Sequence, residues 1–282
     1  MRTVIKFAGA LLEDEASISA LARQVAGLAQ EGQEILVVHG GGRLFTSTLK
    51  RMGIESTFVA GLRVTDRETR DVAVMVFAGL LNKRLAAAIS TAGAPAIGIS
   101  AADAGCFRAE PMVHNEVEGR LGFVGYLTGL NLGFIESLWT QGLVPVASCL
   151  GLGPGNELYN INADHMAAAC AEFVHADQLI YLTDVAGVLD GNKVLSVVSC
   201  EEIDRLVQSR VVTGGMVLKL EAAERALEGG VREVHIVGGG SQDSLLRVAH
   251  KSEDTAELPS SLPGTRILRE RVSAAHAALS AA

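Results

Sequence analysis

Three Gly-rich segments at predicted strand ends could bind an anion through their backbone amides. They are Lys6-Phe7-Ala8-Gly9, His39-Gly40-Gly41-Gly42 and Val237-Gly238-Gly239-Gly240, and each lies at the end of an aliphatic run that is typical of a strand. Glycine lets backbone amides approach a ligand closely. Where such a loop leads into a helix, free N–H groups and the helix dipole favour an anion. The segments indicate phosphate or carboxylate binding, although each alone is equally compatible with a tight turn.

Two lysines and an aspartate stand at positions where a charge needs a partner. Lys6 lies inside an otherwise aliphatic strand, and lysine is rarely buried unpaired. Lys219 follows Gly214-Gly215 at a predicted helix start, where the dipole disfavours a cation unless an anion is bound. Asp164 stands at another predicted helix start and could orient lysines by charge-assisted hydrogen bonds. Each also has an ordinary interpretation: a solvated lysine for either cation, and a helix cap for the aspartate.

The two common nucleotide motifs do not occur in the sequence. A G-x-G-x-x-G pattern beginning at Gly40 would need glycine at position 45, which is Phe45. One beginning at Gly238 would need glycine where Asp243 stands, and no G-x-x-x-x-G-K-[ST] segment is present. A phosphate site in this chain must therefore use another architecture.

The elements that position these residues alternate between short aliphatic strands and helical stretches. The series opens with a strand at Val4–Phe7, a helix over residues 16–30 and a strand at Ile35–His39. Thr65-Asp66-Arg67-Glu68 has the form of a capping box and predicts a long helix to about Thr91. This alternation predicts an α/β fold, a three-layer αβα sandwich with a mostly parallel central sheet. Ligands of such folds bind at the carboxyl ends of the strands.

Later segments modify this alternation. Residues 106–128 indicate an antiparallel hairpin around a polar turn at Asn115–Gly119, and Gly151–Gly155 indicates a Gly/Pro-rich loop. Ser199-Cys200-Glu201-Glu202 forms a second capping box. Residues 250–263 are polar and loop-like, and a final strand is predicted at Thr265–Leu268.

Composition argues against several classes of function. The 282 residues are 49% hydrophobic but only 4% aromatic, which suits aliphatic strands covered by Ala-rich helices. A formal charge of -8 without a basic stripe argues against nucleic-acid binding. The four cysteines lie far apart, which gives little support to a metal cluster or a redox dithiol. The sequence has no signal-peptide pattern and no uninterrupted apolar run of about 18 residues, so we expect no membrane segment and a cytoplasmic protein.

The chain resembles the amino acid kinase family from its first strand to Ile267, because a series of motifs occurs in the family's order. Gly61–Thr65 and Asn160–Asp164 are particularly similar to the acetylglutamate kinases and argue against the carbamate and uridylate kinases. The motifs are Lys6-x-x-Gly9, His39-Gly-Gly-Gly42, Gly61-Leu-Arg-Val-Thr65, Asn82-Lys83, Asn160-x-Asn-Ala-Asp164, Leu182-Thr-Asp-Val-x-Gly187 and Gly214-Gly-Met-x-x-Lys219.

The resemblance implies an enzyme of arginine biosynthesis that moves the γ-phosphoryl group of ATP, with Mg²⁺, onto the side-chain carboxylate of N-acetyl-L-glutamate. It implies that Lys6 and Lys219 contact the migrating group and that Asp164 holds these lysines in place. General chemistry is compatible with these roles. A side-chain carboxylate has a pKa of about 4.3, so at neutral pH it is already an anion and needs no general base. The transfer then depends mainly on positioning and charge neutralisation.

The resemblance also implies where the substrates bind. Residues 1–176 would form an N-terminal lobe for the acidic substrate and for dimerisation, and residues 177–282 a C-terminal lobe for ATP. It implies no protein side chain as a metal ligand. The implied substrate-binding residues are Gly41, Gly42, Arg63 and Asn160, and the implied phosphate- or nucleotide-binding residues are Gly9, Thr183, Asp184 and Gly214.

Two features separate this chain from parts of the family. Ala8 stands where the family usually has glycine, and an alanine there would be strained if its backbone needed a positive φ. Lys6 lies close to the N-terminus, which leaves no room for the additional helix with which arginine-inhibited relatives build hexamers. By analogy we expect an arginine-insensitive homodimer.

Two alternatives remain compatible with the sequence. A sister kinase could act on aminoadipate or glutamate joined to an amino-group carrier protein, or on another N-acylated glutamate. A non-catalytic metabolite sensor could retain the fold without the reaction, and Ala8 is the one residue that favours it. A complete set of Lys6, Asp164 and Lys219 favours an enzyme over such a sensor.

Overall fold

The computed structural model describes residues 1–113, 121–240, 243–250 and 262–270. Short single-turn helices occur at Gly9–Leu12, Asp103–Gly105 and Pro154–Asn156. The strands are β1 Arg2–Phe7, β2 Glu34–His39, β3 Phe58–Val59, β4 Leu62–Arg63, β5 Ala96–Ile99, β6 Phe107–Pro111, β7 Val124–Leu130, β8 Val144–Ser148, β9 Leu150–Leu152, β10 Leu158–Ile161, β11 Gln178–Thr183, β12 Leu189–Asp190, β13 Lys193–Val194, β14 Val197–Ser199, β15 Glu233–Gly238 and β16 Thr265–Leu268. The α-helices are α1 Glu15–Gln30, α2 Gly42–Arg51, α3 Arg67–Val74, α4 Asn82–Thr91, α5 Leu132–Thr140, α6 Ala163–Phe173, α7 Cys200–Gln208, α8 Gly215–Glu228 and α9 Ser244–Ala249.

An eight-stranded sheet forms the middle of the molecule, in the order β14-β16-β15-β11-β1-β2-β8-β5. Neighbouring strands pair in parallel except at β15 and β16, which are antiparallel. The first two strands are buried from their second residue onward, as expected for aliphatic strands covered on both faces. The predicted α/β fold with a mostly parallel central sheet is confirmed.

Helices cover both faces of this sheet. Helices α1, α4 and α9 pack together with the sheet on one face, whereas α6 and α8 pack against each other and the sheet on the other. Alanines at the helix faces, among them Ala22, Ala167 and Ala222, are fully buried. Small side chains let the helices approach the strands closely, which suits a core with few aromatic residues.

The predicted hairpin at residues 106–128 is confirmed in its two strands, because β6 and β7 pair antiparallel. They close into a small barrel with β9 and β10. Strand β9 corrects the sequence prediction, since Gly151 and Leu152 were expected in a loop. The reason is close packing: a Cβ on Gly151 would lie 2.3 Å from Cβ of Ala109, so only glycine allows the barrel strands to meet there.

The first predicted capping box is wrong and the second is confirmed. Asp66, not Thr65, caps α3, because its side chain accepts a hydrogen bond from the Thr69 N–H at 2.8 Å. Thr65 is instead fully buried and forms a β-bridge with Gly122. A long-range pairing therefore removed Thr65 from the cap that its local sequence suggested. Ser199 forms the predicted box at the start of α7.

Helices α3 and α4 are joined by a π-helical segment, Met75–Leu81, into one stretch of 25 residues. Within the described residues, this stretch is the one helix long and apolar enough to cross a membrane by length and composition. Half of its most apolar window is buried inside the protein. One face of the stretch packs into the hydrophobic core through Val76, Phe77 and Leu81.

The sheet continues across the predicted lobe boundary at residues 176 and 177, because β1 pairs with both β2 and β11. The division into two lobes with separate ligands stays a prediction. Three segments discussed from sequence lie outside the described residues. They are the turn at Asn115–Gly119, positions 251–261 of the polar loop, and the Ala-rich tail from position 271 onward, for which the sequence predicts no element.

Candidate active site

Three charged side chains from distant parts of the sequence meet at the carboxyl edge of the sheet. The Nζ atoms of Lys6 and Lys219 each lie 2.7 Å from the same oxygen, Oδ1 of Asp164. Lys6 is near the end of β1, Asp164 is in the first turn of α6, and Lys219 is in the second turn of α8. The side chains are only 8%, 13% and 7% exposed, respectively. The sequence predicted these residues as partners, and the fold brings them together.

The cluster carries an excess positive charge in a poorly solvated place. Burial alone would raise the pKa of Asp164, but the charges of Lys6 and Lys219 outweigh it and hold that pKa well below its usual range. Burial, followed by repulsion from Lys6, lowers the pKa of Lys219 to about 8 against the attraction of Asp164. Two ammonium groups therefore share one carboxylate, which leaves the cluster able to attract an anion.

The position of Asp164 is fixed by its neighbours rather than by a capping role. Asn162 caps α6, because its Oδ1 accepts hydrogen bonds from the N–H groups of Asp164 and His165 at 2.9 and 3.2 Å. The carboxylate of Asp164 is thereby left for the lysines. Tyr181 on β11 donates its hydroxyl to the backbone oxygen of Asp164 at 3.1 Å, and its ring lies 4.8 Å from Nζ of Lys219. Sequence reasoning gave no role to Asn162 or Tyr181.

A cavity of about 280 Å³ opens beside the cluster. It is lined by every residue that the sequence analysis assigned to the acidic substrate. Gly9, which was assigned to phosphate, lines it as well. The predicted site residues that line this cavity are Lys6, Gly9, Gly41, Gly42, Arg63, Asn160 and Asp164.

Two glycine loops touch at the wall of this cavity. A Cβ on Gly9 would lie 2.3 Å from Cα of Gly42, which no real contact permits, so these loops can meet only through glycines. Gly42 also has a φ of +48°. Ala8 has an ordinary extended backbone, with φ −66° and ψ 142°, and its N–H donates to the oxygen of Leu182 at 2.9 Å. The alanine is therefore unstrained.

Arg63 is held in place by polar and aromatic contacts. Its guanidinium donates to the hydroxyls of Ser56 and Thr46 and lies over the rings of Phe45 and Phe58, 5.0 and 4.6 Å from their centroids. Burial lowers the pKa of Arg63 from its usual value. Because the usual pKa of arginine is far above neutral, the guanidinium remains a cation. The arginine therefore presents a positioned positive charge at the cavity wall.

Asn160, which also lines the cavity, is anchored by a residue that was predicted for another role. Its Nδ2 donates to Oγ1 of Thr65 at 3.1 Å. Thr65 is the residue whose capping role was wrong, and the β-bridge that buries it explains why it can hold Asn160 instead. The proximity of Gly61–Thr65 to Asn160–Asp164 in space could not be seen from their spacing in sequence.

A second cavity, of about 580 Å³, lies at the carboxyl ends of β11 and β15. Asp184 lines it together with Gly238 and Gly240, so the third Gly-rich strand end also borders a cavity. Thr183 is buried beside it, with Oγ1 3.1 Å from Oδ1 of Asp184, and Gly214 caps the start of α8 with φ +59°. Neither Thr183 nor Gly214 is among the described lining residues of the two cavities.

Comparison with known proteins shows the family. The sequence pattern of the amino acid kinase family matches residues 1–238, which is most of the chain. The chain belongs to the amino acid kinase family. Among curated members, it is 46% identical to the acetylglutamate kinase of Koribacter versatilis, over 87% of this chain and 93% of that protein. It is 44% identical to the acetylglutamate kinase of Acidobacterium capsulatum, over 84% of this chain and 90% of that protein.

Solved structures agree with this fold. The structure of N-acetylglutamate synthase from Neisseria gonorrhoeae, complexed with coenzyme A and N-acetyl-glutamate, superposes with a TM-score of 0.81 at 24% identity. The match covers 95% of this chain and 59% of that chain. The family match and the acetylglutamate kinase relatives indicate a phosphotransferase with a carboxyl group as acceptor. The chain has clustered positive charge at the sheet edge, which suits such chemistry.

Proposed function

We propose that the chain transfers the γ-phosphoryl group of ATP to the side-chain carboxylate of N-acetyl-L-glutamate and forms an acyl phosphate for arginine biosynthesis. Its curated relatives that are 46% and 44% identical are acetylglutamate kinases. The observation that carries the proposal is the pairing of Lys6 and Lys219 with one oxygen of Asp164 beside a glycine-lined cavity. This arrangement suits the transfer of a charged group between two anions.

The proposed chemistry is charge neutralisation without an acid or base. The acceptor carboxylate is ionised at neutral pH, and its approach to a polyphosphate is opposed by repulsion between like charges. Lys6 and Lys219 would offset that repulsion at the migrating group, and Asp164 would keep both ammonium groups aimed at it. Backbone amides of Gly9 and Gly42 would add donors from the contacting loops. The protein thus contributes position and charge.

The acidic substrate would occupy the smaller cavity, in the N-terminal lobe of residues 1–176. Arg63 and Asn160 would bind the α-carboxylate of the substrate. The backbone amides of Gly41 and Gly42 would donate hydrogen bonds to the substrate. The guanidinium suits this role because its planar donors match a carboxylate. Its contacts with two hydroxyls and two rings fix its orientation before the substrate arrives.

ATP would bind in the C-terminal lobe of residues 177–282, with Asp184 and the Gly238–Gly240 strand end at the larger cavity. Thr183 would orient Asp184, and Gly214 would open α8 near the phosphates. Within the described residues, no group of three or more His, Cys, Asp or Glu side chains could hold a metal ion. We propose that Mg²⁺ arrives bound to the phosphates of ATP, as hard oxygen-binding Mg²⁺ commonly does.

The assembly and location are also proposals. We propose a homodimer whose interface includes Met75 and Leu80, apolar side chains of the π-helical segment that are 58% and 42% exposed. We propose a cytoplasmic location because ATP is available there. Nucleic acid and membrane are not proposed as partners.

The experiment is an ATP-dependent hydroxamate assay, which traps an acyl phosphate as it forms. Acetylglutamate, succinylglutamate and acetyl-aminoadipate are compared, together with glutamate or aminoadipate joined to an amino-group carrier protein. The proposal predicts the highest kcat/KM with acetylglutamate. Negligible acetylglutamate turnover beside robust carrier-linked turnover would assign the chain to the carrier-dependent kinases, and no turnover of any acceptor would indicate a sensor.

A further inference from the structure

His39 and Asn82 belong to two of the sequence motifs, but the proposed reaction gives neither side chain a role. His39 is the last residue of β2 and directly precedes the Gly40–Gly42 loop of the smaller cavity. Asn82 opens α4, far from that loop in sequence. Both side chains are fully buried, and the Nδ2 atom of Asn82 lies 3.1 Å from Nε2 of His39. The two residues thus form a polar pair inside the core, directly behind the glycine loop.

The carbonyl of Val146 determines how the Asn82 amide is oriented. Asn82 Nδ2 donates to the oxygen of Val146 at 2.8 Å. A carbonyl can only accept, so turning the amide over would place two oxygens against each other. The same nitrogen therefore offers its second hydrogen to His39, and Nε2 of His39 must be the unprotonated acceptor. The tautomer of the imidazole follows from this contact.

The other side of the ring requires the same tautomer. Nδ1 of His39 lies 3.2 Å from the oxygen of Gly40, which again can only accept, so Nδ1 must carry the hydrogen. Burial lowers the pKa of His39 to about 4, which keeps the imidazole neutral at physiological pH. Asn82 thus fixes the ring as a donor to the glycine loop.

This donation orients the next peptide group. In a trans peptide the C=O and N–H point in opposite directions. Because the Gly40 carbonyl is held toward the imidazole, the N–H of Gly41 points away from the imidazole. Both glycines line the smaller cavity. Within the described residues, no backbone acceptor takes the Gly41 N–H. The amide is therefore available to a ligand.

The packing around the pair leaves room for the Asn82 side chain beside Gly98. The Oδ1 atom of Asn82 is buried and has no hydrogen-bond partner among the described residues. A Cβ on Gly98 would lie 2.0 Å from that oxygen, so Gly98 provides the room for the side chain. An unpaired buried oxygen is costly. The fold accepts that cost in an arrangement that keeps the amide nitrogen on its two acceptors.

We propose that His39 and Asn82 are positioning residues that aim the Gly41 amide at the acceptor carboxylate and the migrating phosphoryl group. Neither side chain touches the cavity itself, since both act through the Gly40–Gly41 peptide. The inference rests on the proposed function for the identity of the anion. The orientation of the peptide and the tautomer of His39 are independent of the substrate.

Two variants of His39 separate positioning from mere packing. Nδ2 of an asparagine falls near the place of imidazole Nδ1, whereas the end of a glutamine side chain falls near Nε2. His39→Asn keeps the donor to Gly40 and should keep kcat within about tenfold, while His39→Gln should lose about 10²-fold, the cost of one misdirected donor. Equal kcat values in variants of equal thermal stability would overturn the proposal.

Nitrogen-15 NMR of the histidine side chains tests the tautomer in the intact protein. The His39 signals, identified by their loss in His39→Asn, should show a neutral ring with the hydrogen on Nδ1 at neutral pH. In Asn82→Leu, which removes the amide, only the contact with Gly40 still favours this tautomer, so the fraction of rings with the hydrogen on Nδ1 should decrease. An Nε2-protonated or cationic His39 in the wild type would overturn the proposal. If acetylglutamate is not turned over, the proposed function fails, and this measurement still decides the inference.

Discussion

The shared oxygen of Asp164 is the residue-scale feature on which the chemistry depends. Lys6 and Lys219 contact the same Oδ1 atom, so neither cation has a carboxylate to itself. A single buried carboxylate between two ammonium groups leaves one positive charge in excess. That charge is held in a site of low exposure, where electrostatic interactions are stronger than in water. The negative charge of an incoming phosphoryl group would neutralise this excess positive charge.

Replacing Asp164 by asparagine should remove the organiser of both lysines while keeping the shape of the side chain. The two ammonium groups would then repel each other without a shared anion, so we expect kcat to fall about 10²-fold or more. The assay is steady-state acyl phosphate formation. Asp190→Asn is the matched control, because Asp190 is exposed on a small hairpin and its replacement should leave kcat unchanged. Equal kcat values in the two variants would show that Asp164 does not position the two lysines for the reaction.

The lowered pKa of Lys219 predicts a fall in activity at alkaline pH. Because lysine is charged below its pKa, kcat/KM for ATP should be highest at neutral pH and should decrease as pH rises through about 8. Stability should change in the opposite direction. The folded-state pKa lies below the unfolded value of about 10.4, so between these values the unfolded chain binds more protons and stability rises with pH.

Lys219→Arg is the control for this pH profile. Arginine stays charged throughout the range, so the alkaline decrease should disappear even if the maximal rate is lower. Bound ATP should raise the pKa of Lys219, and the decrease in kcat should therefore begin at a higher pH than the decrease in kcat/KM. A variant that keeps the same alkaline decrease would assign it to another group.

At the scale of elements, the contact between the loops after β1 and β2 forms the wall of the smaller cavity. Gly9→Ala would place a Cβ 2.3 Å from Cα of Gly42, so the loops must separate and their amides must move. We expect at least a tenfold loss of kcat, measured in the same assay, since small misplacements of catalytic groups cost about 10²-fold. Gly133→Ala in α5 has no contact closer than 3.9 Å and should keep full activity.

The elements show why some predictions succeeded. Val4–Phe7 and Ile35–His39 were identifiable as strands because aliphatic runs bounded by glycine are typical of buried parallel strands. The hairpin strands and the Ser199 cap followed from local turn and capping chemistry. Each of these signals lies within a few residues of the structure that it predicts.

Other elements depended on contacts that sequence spacing does not reveal. Thr65 satisfied the local rule for a cap, but its pairing with Gly122 took it away and left Asp66 to cap α3. Gly151 resembled a loop residue because the close approach of Ala109 was unknown. The buried pair of His39 and Asn82 was visible only as two separate motifs. Long-range packing decided all of these cases.

At the scale of the whole molecule, the parallel sheet brings the charged cluster together. Lys6, Asp164 and Lys219 are supplied by β1, α6 and α8, and β1 lies at the centre of the sheet. The resemblance to a family, rather than spacing alone, grouped these residues in advance. Spacing could not do so, because it does not show that these elements meet at one edge. Thr183 and Gly214, grouped in the same way, do not line either cavity.

The proposed homodimer makes a prediction about the exposed face of the π-helical segment. Leu80→Glu would place a charge in an apolar interface and should convert the dimer to a monomer, as measured by size-exclusion chromatography with light scattering. Leu189→Glu is the control, because Leu189 has a similar exposure of 37% but lies on the β12–β13 hairpin. A hexamer, or a dimer that persists in Leu80→Glu, would contradict the proposed interface.

The rate of phosphoryl transfer in Lys6→Ala shows whether the ammonium groups around Asp164 carry the reaction. Lys6 contacts the organiser Asp164 and lines the cavity, so its ammonium group should offset the repulsion between the acceptor carboxylate and the phosphates. The expected result is a folded protein that still binds ATP but forms acyl phosphate at least about 10²-fold more slowly than the wild type. A folded Lys6→Ala protein with nearly wild-type turnover of acetylglutamate would contradict the account.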